Sequence, residues 1–338
     1  MKKTYYIANI QFNVTSQIDL DEYENEAKFL TPVCVPERVV PVEVCLTSQI
    51  LPVPKASTES ASVSVPAEAS TGSASVPAPV EASAESASVS APVEASAEAV
   101  SAVKPADTYE TAGMRSRIYA EKGETGLHEI RIYDLWDIYS NVIRCEYYND
   151  RIRILIKDSI YKTVMHSFRI WSYMFLERIL LEQNALILHS ASIISQGRAV
   201  LFTAPSETGK TTQTDIWQRN EPTVTDLNGD RTILIKTADG WRACGIPISG
   251  TSERCEQIMA EIAGIAFVER APWDRVLEMG TMEKLMLLYD QITVYDACPA
   301  DAEKALELME DLLANIRIVR LQCTMKDSAY DVLKQQLY

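Results

Sequence analysis

The 338-residue sequence predicts a mixed α/β fold of the α+β kind, with a mixed β-sheet core and flanking helices. Three observations carry that reading. A short apolar run at 198–203 is followed by a Gly-Lys-Thr loop and then a helical stretch through Trp217. Asp239-Gly240 sits between the apolar runs 232–236 and 241–244, which is a strong hairpin signal. Leu306, Met309, Leu312, Leu313 and Ile316 recur at helical spacing before another apolar run at 318–321. Hairpins beside a strand–loop–helix unit call for a mixed sheet rather than a purely parallel one.

The elements are taken in chain order. Residues 1–50 read as a small β-like segment. Its one strand is expected over 5–14 (YYIANIQFNV), and Pro32, Pro36 and Pro41 interrupt the remainder of the segment. Residues 51–106 differ in kind. Ser-Ala-Ser-Val begins at Ser60, Ser73 and Ser86, a period of 13, and Pro and Glu recur between the copies. Small side chains bury little area and prolines interrupt a helix, so the expectation is a disordered tether. Residues 107–338 have globular composition and form the main domain. Alternation predicts strands at 126–134 and 151–157, and 168–183 reads as a long, mostly buried helix. A strand at 186–195 and a Gln196-Gly197 turn lead into the run at 198–203. After residue 321 a last helix closes the chain.

Composition narrows the function classes. Lys plus Arg is 32 and Asp plus Glu is 47, for a net charge of −15. That balance argues against nucleic acid or an anionic membrane as the main partner, though not against a local anion site. No run approaches about 18 apolar residues, and the start lacks the apolar region of a signal peptide, so a cytoplasmic protein is expected. The seven cysteines are scattered without a CxxC pair, and there are three histidines, so no zinc or disulfide framework is signalled.

The sharpest motif is Ala204-Pro205-Ser206-Glu207-Thr208-Gly209-Lys210-Thr211-Thr212. It fits the phosphate-binding P-loop pattern except that Ala204 replaces the first glycine. In that pattern, backbone N–H groups from Ser206 to Thr212 and the helix start form a pocket for phosphate oxygens. Gly209 lets the backbone approach, Lys210 reaches the β and γ phosphates, and the Thr211 hydroxyl ligates Mg²⁺. Glu207 is an awkward acid in such a loop. A second element, Thr225-Asp226-Leu227-Asn228-Gly229-Asp230-Arg231, offers Asp226 and Asp230 to a metal or to a hydroxyl proton, or forms an ordinary turn. His189, in a strand-like run, is either a hydrogen-bonded core residue or part of a site. The stretch 245–252 (GIPISGTS) either lines a site or is a loop.

The order of these motifs, LHSAS, RAVLFTAPSETGKTTQTDIW, LNGDRTIL, the W-x-A-C-G strand and GIPISG, is similar to that of the HPr kinase-like proteins. These are relatives of the catalytic domain of bacterial HPr serine kinase/phosphorylase and, more distantly, of phosphoenolpyruvate carboxykinase. The match spans about residues 186–252 and leaves 1–105 outside. The resemblance implies a P-loop on a mixed β core, ATP with Mg²⁺, and phosphoryl transfer to a serine-like hydroxyl. Lys210 and Thr211 carry over as phosphate and metal ligands, and His189 falls where HPr kinases keep a histidine near the site. HPr kinases have paired aspartates, one a base and one for metal. Here Asp230 matches the second and Gly229 stands in place of the first, so Asp230, Asp226 and His189 are all candidate bases. Arg242 stands near the place of a later Glu-containing signature, which speaks against HPr as the acceptor. A peptide, protein or small-molecule hydroxyl acceptor fits the divergent branch, which includes peptide-maturation kinases. A homo-oligomer is in keeping with the hexameric HPr kinases. The rival expectation is a nucleotide-binding adaptor without catalysis.

Overall fold

A computed structural model describes residues 1–18, 27–50, 114–120, 127–135, 139–161, 170–294 and 299–338. The 13-residue repeats lie outside the described residues. The protein is mixed α/β, with two mixed sheets and five α-helices among the described residues. Among them no helix is long and apolar enough to cross a membrane.

The first sheet has seven strands: β1 (Lys2–Ile7), β2 (Ile10–Ser16), β3 (Arg38–Thr47), β4 (Met114–Ala120), β5 (Leu127–Leu135), β6 (Tyr139–Tyr148) and β7 (Ile152–Lys157). Their order is β1-β2-β3-β7-β6-β5-β4, parallel at β2/β3 and β3/β7 and antiparallel elsewhere. The single strand expected over 5–14 is instead a hairpin. Tyr5 and Ile7 have odd numbers, whereas Ile10, Phe12 and Val14 have even ones, so a straight strand would place them on opposite faces. Turning at Ala8-Asn9, with Ala8 at φ 51°, pairs Ile7 with Ile10 and Tyr5 with Phe12. All five side chains are then buried together.

The sequence set residues 1–50 apart from the globular part, but the pairing joins them. β3 lies between β2 and β7, with Val42 opposite Ile152 and Val44 opposite Ile154. The N-terminal strands therefore complete the sheet to which β4, β5, β6 and β7 belong. They also reach the second sheet's loops, through Lys28 Nζ to the Cys255 carbonyl (2.7 Å) and Gln257 Nε2 to the Tyr6 carbonyl (3.1 Å).

The long helix expected at 168–183 is broken. A 3₁₀ turn at Ile170–Ser172 precedes α1 (Leu176–Glu182), and 162–169 lie outside the described residues. A helix on a sheet buries one stripe. Here Tyr173, Met174, Phe175 and Leu176 are buried in succession, which one stripe cannot do. The break lets Trp171 meet Tyr5 and Phe12 edge-on, at 5.0 and 5.6 Å, while Phe175 stacks on Tyr147. Trp171→Ala is expected to cost about 3–5 kcal/mol through the cavity it leaves, measured by denaturant unfolding.

The second sheet has eight strands: β8 (Ala185–Ser195), β9 (Arg198–Thr203), β10 (Thr225–Asn228), β11 (Arg231–Thr237), β12 (Gly240–Cys244), β13 (Met259–Arg270), β14 (Arg275–Leu277) and β15 (Ile318–Cys323). β8 pairs with β9, β9 with β13, β13 with β12, β12 with β11, and β11 with β8, so five strands close a ring. The other helices are α2 (Lys210–Asn220), α3 (Thr281–Gln291), α4 (Pro299–Asn315) and α5 (Ser328–Leu337). Strand β9 is apolar from Ala199 to Phe202 because both its faces are covered. Ala199 and Leu201 pack in the cluster with α3 and α4, and Val200 and Phe202 in the cluster with α2 and α5.

Glu221 ties α2 to α5 and β8. Burial opposes its charge, but hydrogen bonds from Lys334, Tyr330 and Ser195 outweigh that and hold its carboxyl below the ordinary 4.5. The unfolded chain then takes up this proton at higher pH than the folded one. The contribution is full above about pH 4.5 and is lost as pH falls through the folded value. Glu221→Gln is expected to weaken the protein at neutral pH and to flatten its acid loss of stability, measured by thermal unfolding across pH.

Candidate active site

The site forms where β9 gives way to α2. Thr203, the last residue of β9, donates its hydroxyl to the His189 carbonyl on β8 (2.8 Å). The chain then loops through 204–209 and starts α2 at Lys210. Gly209 has φ 121°, which favours glycine, and a Cβ there would lie 2.6 Å from Met325 Cε, the end of a flexible side chain that would have to shift. The helix start has no side-chain cap, which leaves its first amides for another acceptor. Arg270, the end of β13, donates to the carbonyls of Glu207 (2.6 Å) and Thr208 (2.9 Å) and fixes the loop's outer turn. Glu207, with φ 63°, is exposed with Ser206 and Thr212. Its side chain therefore faces solvent.

Lys210 is buried, and its ammonium donates to the carbonyls of Ala204 (2.8 Å) and Pro205 (3.2 Å). Burial pulls its pKa down, and the charge of Asp230 partly restores it. His189 is also pulled down, first by burial and then by the charge of Lys210, against Asp230 and a hydrogen bond to Gln291. His189 Nδ1 lies 3.1 Å from Gln291 Oε1, the last residue of α3. With that oxygen accepting, Nδ1 carries the proton and Nε2 keeps its lone pair. Nε2 is 3.6 Å from Asp230 Oδ1, too long for a hydrogen bond.

Asp230 is placed by its neighbours. Asn228 Oδ1 accepts from the backbone N–H groups of Asp230 and Arg231, both at 2.9 Å, and Asn228 Nδ2 donates to the Ile246 carbonyl (2.7 Å). The turn reading of this segment therefore holds for Asn228, which shapes the bend between β10 and β11. The 249–252 segment packs on the same bend. A Cβ at Gly229 would lie 1.8 Å from Ser252 Oγ, and one at Gly250 would lie 2.9 Å from Asp230 Cβ. Ser252 thus fills the space that a side chain at 229 would need, and the loop read from GIPISG lies against Asp230.

His189, Lys210 and Asp230 come together, with Thr211 one residue further into α2. Asp226 does not join them. It pairs with Ile193 while Arg231 pairs with His189, so it lies four residues along β8, roughly 13 Å by the rise of a strand. It lies 3.9 Å from Arg254, which hydrogen-bonds Asp215. Gln291 and Arg270 escaped the sequence reading, because each reaches the site from a distant segment, whereas Asn228 and Ser252 lie in the two stretches that the sequence singled out. Arg231 had a signal available, since it adjoins Asp230 and lies opposite His189 once β8 and β11 pair.

Among the described residues no three His, Cys, Asp or Glu side chains are placed to hold a metal by themselves. A Mg²⁺ ion asks less of a protein, one or two oxygen ligands beside substrate phosphates. The Asp230 carboxylate and the Thr211 hydroxyl fit that demand, because neither makes a hydrogen bond among the described residues. No protein-family model matches the chain, and no curated protein matches it at a significant level.

Proposed function

We propose that the protein is an ATP- and Mg²⁺-dependent phosphotransferase of the HPr kinase-like type, with a P-loop at 204–212, acting on a serine-like hydroxyl in the cytoplasm. The convergence of Lys210, His189 and Asp230 at the uncapped start of α2 carries the reading. Loop amides and the helix start hold the phosphates, and Lys210 exchanges the carbonyls of Ala204 and Pro205 for phosphate oxygens. Asp230 and Thr211 would hold the metal, which would supply charge stabilisation to the phosphates. His189 Nε2 takes the hydroxyl proton while Gln291 fixes the ring. Asp226 drops out as a base, because it stands apart beside Arg254. The acceptor oxygen gains the γ-phosphorus as the bond to the leaving diphosphate oxygen breaks. Positioning and charge supply most of the rate, and the base a smaller part.

A second reading, the silent nucleotide-binding adaptor, is favoured by one observation: the Lys210 ammonium is satisfied within its own loop. Titration with ATP and Mg²⁺ followed by an acceptor screen separates the two. Binding with transfer supports the kinase, binding without transfer to any acceptor supports the adaptor, and no binding removes both.

A further inference from the structure

Arg231 is the charged residue at this site that nucleotide chemistry leaves unused. It stands directly opposite His189 in the β8/β11 pair, so the two side chains share a face. The side chains of His189, Asp230 and Arg231 are 30%, 30% and 34% exposed, so all three open on one partly covered surface. The Arg231 guanidinium is poorly satisfied. Its Nε is buried without a hydrogen bond, 3.5 Å from Asp230 Oδ2. Among the described residues its one hydrogen bond is a long contact from Nη1 to Thr293 Oγ1 (3.4 Å).

Thr293 places the guanidinium on a particular side of the site. The 291–293 segment runs beside β8, with Ile292 bridged to Leu188 and the Thr293 N–H donating to the Ile187 carbonyl. Arg231 therefore leans towards Thr293, whereas Lys210 lies at the start of α2, beyond the end of β9. If the Asp230 carboxylate is engaged by a metal, the Arg231 charge loses its nearest counter-charge. A half-buried fork of donors then favours a planar or tetrahedral oxyanion.

We propose that the hydroxyl acceptor carries an oxyanion, a carboxylate or a phosphate, and that the Arg231 guanidinium binds it beside His189. This rests on the kinase reading above. A lone hydroxyl, or a serine flanked by neutral groups, is then the wrong acceptor. Arg231 sets specificity by orienting the hydroxyl towards Nε2.

The test loads the full-length protein with Mg²⁺ and a non-hydrolysable ATP analogue, then titrates sodium sulfate and sodium acetate calorimetrically. Sulfate stands in for a phosphate-bearing acceptor and acetate for a carboxylate-bearing one. At least one should bind the loaded protein. Arg231→Gln should weaken that binding at least about tenfold, the loss of one charge-assisted contact, while the analogue's Kd stays within about twofold. Arg231→Lys, which keeps the charge without the fork, should fall between. Preference for sulfate or acetate identifies the source of the oxyanion. The proposal is overturned if neither anion binds the loaded wild type, if both variants bind as wild type does, or if Arg231→Gln weakens the analogue itself. That last result would assign Arg231 to the nucleotide. Failure of the wild type to bind the analogue overturns the kinase reading instead, and this inference falls with it.

Discussion

Lys210→Ala is expected to abolish measurable phosphoryl transfer, with a loss of at least about 100-fold in kcat/KM, the scale of removing one preorganised donor from a developing charge. The side chain is buried and, among the described residues, reaches only its own loop and, through space, Asp230 and His189. Its removal leaves the carbonyls of Ala204 and Pro205 without their donor, so a modest loss of stability accompanies the loss of activity. The two effects separate by measurement. Thermal unfolding reports the fold, and nucleotide titration at a temperature where the variant is fully folded reports the site. Lys210→Arg tests geometry, because the guanidinium keeps the charge but not the compact shape. A variant that folds well and still turns over at the wild-type rate would remove Lys210 from the mechanism.

Gly229→Ala is expected to destabilise the protein by about 1–3 kcal/mol, the usual cost of forcing a side chain into filled space. The obstruction is specific: the new Cβ would sit 1.8 Å from Ser252 Oγ and 2.9 Å from Ser252 Cβ, with the Ser249 carbonyl at an ordinary 3.5 Å. Ser252→Gly should therefore restore most of the loss, and a double-mutant cycle should show strong coupling between the two positions. Gly229→Asp, which would recreate the paired aspartates of the resembling kinases, should fail to raise activity alone, because the same wall meets it. The glycine is then a packing exchange with the 249–252 segment. Equal destabilisation in the presence and absence of Ser252 would refute this account.

Much of the second sheet was legible because its signals are local. The run at 198–203, the Gly209-Lys210 junction and the Asp239-Gly240 hairpin all lie within a few residues of the elements they specify. The same holds for α4 and α5, whose apolar faces repeat at helical spacing. Strand β13 was missed, although it pairs with β9, β12 and β15. Its sequence, MAEIAGIAFVER, interleaves Ala and Gly with larger residues and shows no clean alternation, because both faces are covered. Helix α3 was missed for a related reason: Met282 and Met286 are exposed, so its apolar residues outnumber its buried face. At the N terminus the change of parity between Ile7 and Ile10 was present in the sequence and signals the hairpin. The pairing of β3 with β7 was not readable, since more than a hundred residues separate Val42 from Ile152.

The site divides the same way. Lys210 and Thr211 come from a contiguous motif, and Asp230 and His189 from short patterns in order. The choice between Asp226 and Asp230 needed the register of β8 against β10 and β11. Gln291, which orients His189, arrives from the end of a helix about a hundred residues downstream, and local spacing does not encode it.

The most direct measurement is transfer of label from γ-labelled ATP, with Mg²⁺, by the full-length protein and by Lys210→Ala. The label should be followed into serine-containing peptides, hydroxy acids, phosphorylated alcohols and free phosphate. The account expects label on an oxyanion-bearing hydroxyl acceptor with the wild type and none with the variant. Tight ATP binding with no transfer to any acceptor, or transfer that persists without Lys210, would contradict it.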